Sequence, residues 1–293
     1  MTRAGIPVPP GFVVLAPTFE RFLAETDLNV EIDATLATVK HTEMHTVEHA
    51  SEKIQALIHA AQMPQDIAQE IRTAFSALAC EYVAVRSSAT AEDGAEAAWA
   101  GQLDTYLNTT EGTLLVNVQR CWASLFTPRA IFYRFEKGLH LEKVSVAVVV
   151  QKMVNSDAAG IAFSVHPVTE DRNQLIIEAG FGLGEAVVSG EITPDSYVVT
   201  KEPRRIRDKN IAKQERAIYR KAGGGNEWRS ITERGSAQVL TDEQILALAE
   251  TVCGIERHYG FPVDTEWAVE DSEIYITQSR PITTLSSSKD APM

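Results

Sequence analysis

Hydrophobic and polar positions change period about halfway along the chain. Residues 5–15, GIPVPPGFVVL, place three prolines and two glycines around a short apolar run, which predicts an extended entry into a sheet edge. From Pro17 to about Leu78 the pattern is helical. Pro64 opens QDIAQEIRTAFSAL, where Ile67, Ile71, Ala74, Phe75 and Leu78 recur on one face. Tyr82–Arg86 (YVAVR) reads as a buried strand that runs into SSATAED. Val116–Phe126 reads as a helix, and Thr127 before Pro128 is an N-cap and first-turn proline for another, closed by Gly138. Beyond about residue 140 the pattern turns to strands: Val144–Met153, Gly160–Val165 and Gln174–Glu178 are apolar and β-branched. Thr241 with Gln244 has the capping-box spacing for a helix through about Tyr259, and Thr265–Val269 with Ile274–Gln278 reads as a hairpin. The pattern shows no internal repeat. The fold class expected is α+β, with one lobe over residues 1–145, a second over 146–284 and a Ser-rich, linker-like tail at 285–293.

Composition narrows the function classes. The 293 residues are 44% hydrophobic, enough to build a core, and carry 27 Lys+Arg against 40 Asp+Glu for a net charge of −13. That excess of acid argues against a phosphate-backbone partner, though a local arginine or glycine-rich loop can still hold one small anion. Cys80, Cys121 and Cys253 are odd in number, far apart and without a CxxC, so neither a disulfide framework nor a zinc site is suggested. No apolar run approaches the ~18 residues of a membrane helix, and the N-terminus lacks a signal-peptide pattern. The expectation is a cytoplasmic protein, with neither nucleic acid nor membrane as a partner.

Four constellations carry candidate chemistry. Gly180-Phe-Gly-Leu-Gly-Glu185 follows a strand; its glycines admit close backbone approach, and its amides could form an anion nest, although a tight turn between sheet and helix explains it equally. It lacks the dinucleotide fingerprint's third glycine spacing. Arg86-Ser-Ser-Ala-Thr-Ala-Glu-Asp93 sets a fixed cation and small hydroxyl residues at a strand end, with Ala100-Gly101-Gln102 beyond. That suits a loop over phosphates, or a helix cap made by Thr90 and Asp93. In the terminal hairpin, a three-residue loop at 271–273 would set Glu266 opposite Gln278 with Arg280 on the same face. Such a pair of hard oxygens beside an arginine suits Mg²⁺ on nucleotide phosphates. A two-residue loop would put Glu266 and Gln278 on opposite faces. His41, His45 and His49 lie four apart but read as a solvated helix face rather than a metal site.

Together, VRSSATAED…WAGQLDTYLN, CWASLFTPRAIFYR, VVVQKMV…AAGIAFSVHPVT, GFGLGEAVVSGEITPDSY and EWAVEDSEIYITQSRPIT resemble, in order, the nucleotide-binding domain of the phosphoenolpyruvate synthase, pyruvate phosphate dikinase and rifampin phosphotransferase family. The resemblance covers about Gly5–Thr284 and implies an ATP-grasp fold, two lobes gripping ATP with Mg²⁺ between them. In that family the β-phosphate passes to a histidine on a separate domain while the γ-phosphate leaves separately. By position, Arg86 looks like the family's phosphate arginine, and Ser87, Ser88, Thr90, Gly101 and Gln102 lie in its phosphate-covering stretch. Gln151, Met153 and Val154 look like the adenine hinge and Glu185 like a ribose ligand. Glu266 and Gln278 look like metal ligands and Arg280 like a second phosphate clamp. The resemblance therefore implies ATP and Mg²⁺ as cofactors and a histidine-bearing domain as partner, with catalysis resting on Arg86 and Arg280. Family members open with a GGKGANLGEM-like, lysine-bearing segment, and this chain starts at MTRAGIPVPPGF; a front edge cut short and a partial or inactive module are expectations that follow. A rifampin-type acceptor is the alternative activity.

Overall fold

The computed structural model describes residues 1–89, 104–139, 144–283 and 285. It divides into two compact units, one of residues 10–153 with 223–225, the other of residues 1–9, 154–222 and 226–293. The division falls at Met153/Val154, eight residues beyond the lobe boundary read from the sequence. The reason is pairing: Val146–Lys152 is a central strand of the first unit's sheet, not the start of the second.

The first unit is a four-stranded antiparallel sheet with helices on one face. Its strands are β1 (Gly11–Val14), β2 (Val83–Ala89), β3 (Thr105–Thr109) and β4 (Val146–Lys152), in the order β1-β4-β2-β3. β1 is the edge strand that the proline-rich entry predicts. Helices α1 (Ala16–Glu25), α2 (Leu28–Leu36), α3 (Met44–Ala60), α4 (Gln65–Ala77), α5 (Glu111–Ala123) and α6 (Pro128–Glu136) supply the apolar stripes that cover it. Thr127 caps α6 by accepting from Ala130 N at 3.2 Å. Phe19, Phe22 and Trp122 pack as an aromatic cluster with Val83, Val85, Val146, Val148 and Val150 in the same core. Because side chains alternate along a strand, Ala84, Arg86, Ser88 and Gln151 fall on the opposite face.

The second unit is built on a six-stranded antiparallel sheet, whose further strands are β5 (Ala158–Phe163), β6 (Gln174–Phe181), β7 (Asp195–Thr200), β8 (Arg205–Asn210), β11 (Val263–Glu270) and β12 (Glu273–Pro281) in the order β12-β11-β5-β6-β7-β8. Ile276 N donates to Pro7 O at 2.7 Å, which ties the first residues to this unit. Helix α8 (Asp242–Tyr259) covers one face, packing Ile245, Leu248, Ala249 and Val252 against Ile177, Tyr197, Val199 and Trp267. Its capping box forms as predicted: Gln244 N donates to Thr241 Oγ1 at 3.2 Å and Thr241 N to Gln244 Oε1 at 3.0 Å. A short helix α7 (Glu185–Val188) follows the glycine-rich turn, and a two-stranded ribbon of β9 (Arg216–Arg220) and β10 (Asn226–Ser230) completes the unit. The sequence pattern does not reveal β7–β10. β8 is almost wholly exposed; its Lys209, and Lys201 and Arg204 just before it, pair with Asp242, Glu256 and Glu250 of α8. No helix among the described residues is long and apolar enough to cross a membrane.

Candidate functional site

The terminal hairpin differs from the expected loop but keeps the expected pair. Asp271 and Ser272 form a two-residue turn with φ of 51° and 69°, so Glu270 pairs with Glu273 and Trp267 with Ile276. A plain ladder from that turn would set Glu266 opposite Thr277. Instead the register shifts between Glu266 and Trp267, Thr277 is the extra residue of a β-bulge, and Glu266 stands opposite Gln278. The bulge thus undoes the inversion that a two-residue loop imposes.

Beyond the bulge, Thr265 and Ser279 turn toward the α8 side, while Asp264, Glu266, Gln278 and Arg280 share the other face. Arg280 Nε donates to an Asp264 carboxylate oxygen at 2.8 Å; Arg280 is 42% exposed and Asp264 13%. The arginine is therefore held in place by one N–H while its fork retains further donors. Asp264 is a site neighbour that the sequence analysis assigns no role; its signal is the two-residue spacing to Glu266. Following the same row across the sheet, Glu266 pairs with Ile161 and Ile161 with Glu178. Glu178 is a second missed carboxylate, half-buried, and that burial raises its pKa.

Two more predicted residues lie on this face. Val154 is buried against Ala159, Ala268 and Tyr275. A Cβ on Gly184 would stand 3.4 Å from the Ala159 Cβ, which places the start of α7, and so the exposed Glu185, beside the same strands. Glu185 accepts a hydrogen bond from the Asn226 side-chain amide. The glycine-rich turn is not an anion nest. Phe181 N donates to Gln214 Oε1, Gly182 N to Asp157 O and Leu183 N to Ile218 O, so three successive amides are engaged within the protein. Its glycines serve packing instead: at Gly182, with φ of 75°, a Cβ would meet Ile218 O at 2.3 Å.

In the first unit, Arg86, Ser88 and Gln151 share the face away from the helices, with Gln151 7% exposed. Ser87 lies apart from these three. It alternates to the helix side, where its Oγ donates to Asp104 O at 2.7 Å and lies 3.4 Å from Ser124 Oγ, so it does not share the face of Arg86. Met153 N donates to Tyr82 O, and the division between the units falls inside the predicted hinge Gln151–Val154. Thr90, Gly101 and Gln102 lie outside the described residues. The histidine triplet makes no site: α3 begins at Met44, leaving His41 outside it and stacked on Phe135 at 5.3 Å. No group of three His, Cys, Asp or Glu side chains able to hold a metal occurs among the described residues. Glu266 with Gln278 offers two hard oxygen donors, which fits Mg²⁺ that completes its shell with phosphate and water.

One sheet face of this mixed fold presents carboxylate, amide and guanidinium groups together, and comparison with known families supplies the class. The family model for the pyruvate phosphate dikinase AMP/ATP-binding domain matches residues 1–293, and the chain belongs to that family. It is 45% identical over 298 residues to a Methanocaldococcus jannaschii protein named "Probable phosphoenolpyruvate synthase", covering 99% of this chain and 25% of that protein. Similarity to the phosphoenolpyruvate synthase of Pyrococcus furiosus is 42% over 333 residues, covering 97% of this chain and 41% of that one. The rifampicin phosphotransferase of Bacillus subtilis is 43% identical over 285 residues, covering 96% and 33%. The chain thus spans from a quarter to about two fifths of these relatives' length.

Proposed function

We propose that the chain is the ATP-grasp, phosphoryl-donating module of a dikinase-type phosphotransferase, with Arg86, Ser88 and Gln151 in the first unit and Val154, Glu185, Glu266, Gln278 and Arg280 in the second as its nucleotide-binding residues. The observation that carries the reading is the bulge at Thr277, an irregularity whose effect is to bring Glu266 opposite Gln278 with Arg280 on the same face. Glu266 and Gln278 would hold Mg²⁺, which would supply neutralisation of the phosphate charge. Arg280, steadied by Asp264, and Arg86 clamp the phosphates as fixed cations. Gln151–Val154 borders the adenine, and Glu185 accepts from the ribose hydroxyls. The β-phosphate passes to a histidine nitrogen of another domain as its bond to the α-phosphate oxygen breaks to leave AMP, and the γ-phosphate is released separately, to water as inorganic phosphate. The acceptor beyond it is pyruvate, as the names of two relatives suggest, or an antibiotic, as the name of the third does.

Calorimetric titration with ATP tests the metal assignment. Mg²⁺ is expected to tighten binding to the wild-type chain, and Glu266→Ala to remove most of that gain; an undiminished gain in Glu266→Ala would reject the ligand pair. Supplying a histidine-bearing domain in trans and looking for phosphohistidine and AMP tests the donor role.

A further inference from the structure

The segment GEITPDSY ends in a buried polar network that the proposed site does not use. Asp195 is fully buried, and its carboxylate accepts four hydrogen bonds: Tyr197 Oη donates at 2.7 Å, Val239 N at 2.9 Å, Ala212 N at 3.0 Å and Gln214 Nε2 at 3.5 Å. This knot fastens the loops on either side of the β9–β10 ribbon to β7. Gln214, 2% exposed, is seated on it and further fixed by its own backbone, whose N–H donates to Gly235 O at 2.7 Å. Gly235 is required there, because a Cβ would fall 1.7 Å from Gln214 O.

The Gln214 amide then does what a neighbouring strand would do for the end of β6. Its Oε1 accepts from Phe181 N at 3.1 Å and its Nε2 donates to Ala179 O at 3.2 Å, so one side chain spans Gly180 and saturates the backbone on both sides of it. From Phe181 the chain has only Gly182, Leu183 and Gly184 before Glu185. Gly182 and Leu183 are pinned in turn to Asp157 O and Ile218 O. The position of the Glu185 carboxylate therefore depends on a turn whose first anchor is Gln214.

We propose that Gln214, seated on Asp195, is a positioning residue for nucleotide binding: it fixes the Gly180–Gly184 turn and through it the carboxylate that reads the ribose. This rests on the ribose role given to Glu185 above. A merely structural Gln214 would alter stability without altering which sugar is preferred, so the readout is discrimination between ATP and 2′,3′-dideoxy-ATP.

Both nucleotides are titrated by calorimetry against the wild-type chain, Glu185→Ala, Gln214→Met and the double variant, with thermal melts alongside. Methionine keeps the volume of glutamine and removes its two hydrogen bonds to the turn together with the one to Asp195. The wild type is expected to prefer ATP roughly tenfold, the order of a hydrogen bond to a charged group. Gln214→Met is expected to lose most of that preference, with dideoxy-ATP affinity little changed, and the double variant to match Glu185→Ala. Gln214→Glu, which keeps the acceptor for Phe181 N, is the second variant if Gln214→Met does not fold, and it should retain part of the preference. A folded Gln214→Met, or failing that Gln214→Glu, with the full wild-type preference overturns the inference. A wild-type preference that survives Glu185→Ala overturns it together with the ribose assignment, and a wild-type chain that binds neither nucleotide overturns the proposed function itself.

Discussion

Glu178 sits two strands from Glu266 on the same row, and its burial without a cationic partner in its shift disfavours the charged form. A carboxyl whose folded pKa lies above its unfolded value holds its proton more tightly in the folded state. Its stabilising contribution is complete below the unfolded pKa and is lost as pH rises through the folded one. Glu178→Gln is therefore expected to raise the thermal midpoint by a few degrees at most near pH 7 and to have no effect near pH 3, in paired melting curves. An equal gain at both pH values would reject burial as the cause. Asp195 carries a structural load instead, since four donors face its carboxylate. Asp195→Ala strands them and is expected to cost about 3 kcal/mol or more in urea denaturation; a cost under about 1 kcal/mol would show the network to be dispensable. At this scale the chemistry-bearing residue types are legible in the sequence, but their direction is legible only in part. Arg86 and Ser87 are neighbours with opposite outlooks, and YVAVRSS is too uniformly apolar before them to reveal which parity faces the helices.

Elements whose signals are local agree with the sequence pattern. The α8 capping box, the Thr127 cap of α6 and the apolar stripe of α4 need only residues within a turn or two, and all three form. β7–β10 escape the pattern because β8 and β10 are largely exposed and Lys209 of β8, with Arg204 just before it, is matched to acids on α8, a tertiary match with no local trace. The hairpin is the sharpest case. Turn length and bulge have opposite effects on parity, and only their combination sets Glu266 opposite Gln278. Deleting Thr277 should regularise the ladder and leave Gln278 opposite Glu266 and Arg280 opposite Asp264, because the residue removed is the unpaired one, so Mg·ATP affinity is expected to stay within about threefold of wild type. A loss of about tenfold or more with melting unchanged, the scale of one lost charge-assisted bond, would show that this pairing is not what aligns the site.

At the scale of the whole chain, the lobe boundary is legible only to within one strand. A continuous apolar run such as VSVAVVVQKM marks a buried strand without saying which sheet owns it. The net charge of −13 is no obstacle to an anionic nucleotide, because the clamp proposed for Arg86 and Arg280 is local while distant acids are screened. Membership of the AMP/ATP-binding domain family covers the entire chain, and the division at Met153/Val154 lies within the segment assigned to adenine. The central claim is that Arg86 and Glu266 each serve Mg·ATP binding by this chain. It is tested most directly by calorimetric Mg·ATP titration of Arg86→Ala and Glu266→Ala beside the wild type. Both variants should bind at least about tenfold more weakly than the wild type, since each loses a charged contact to phosphate or metal. Wild-type affinity in either variant, with its fold intact by melting, would contradict the account.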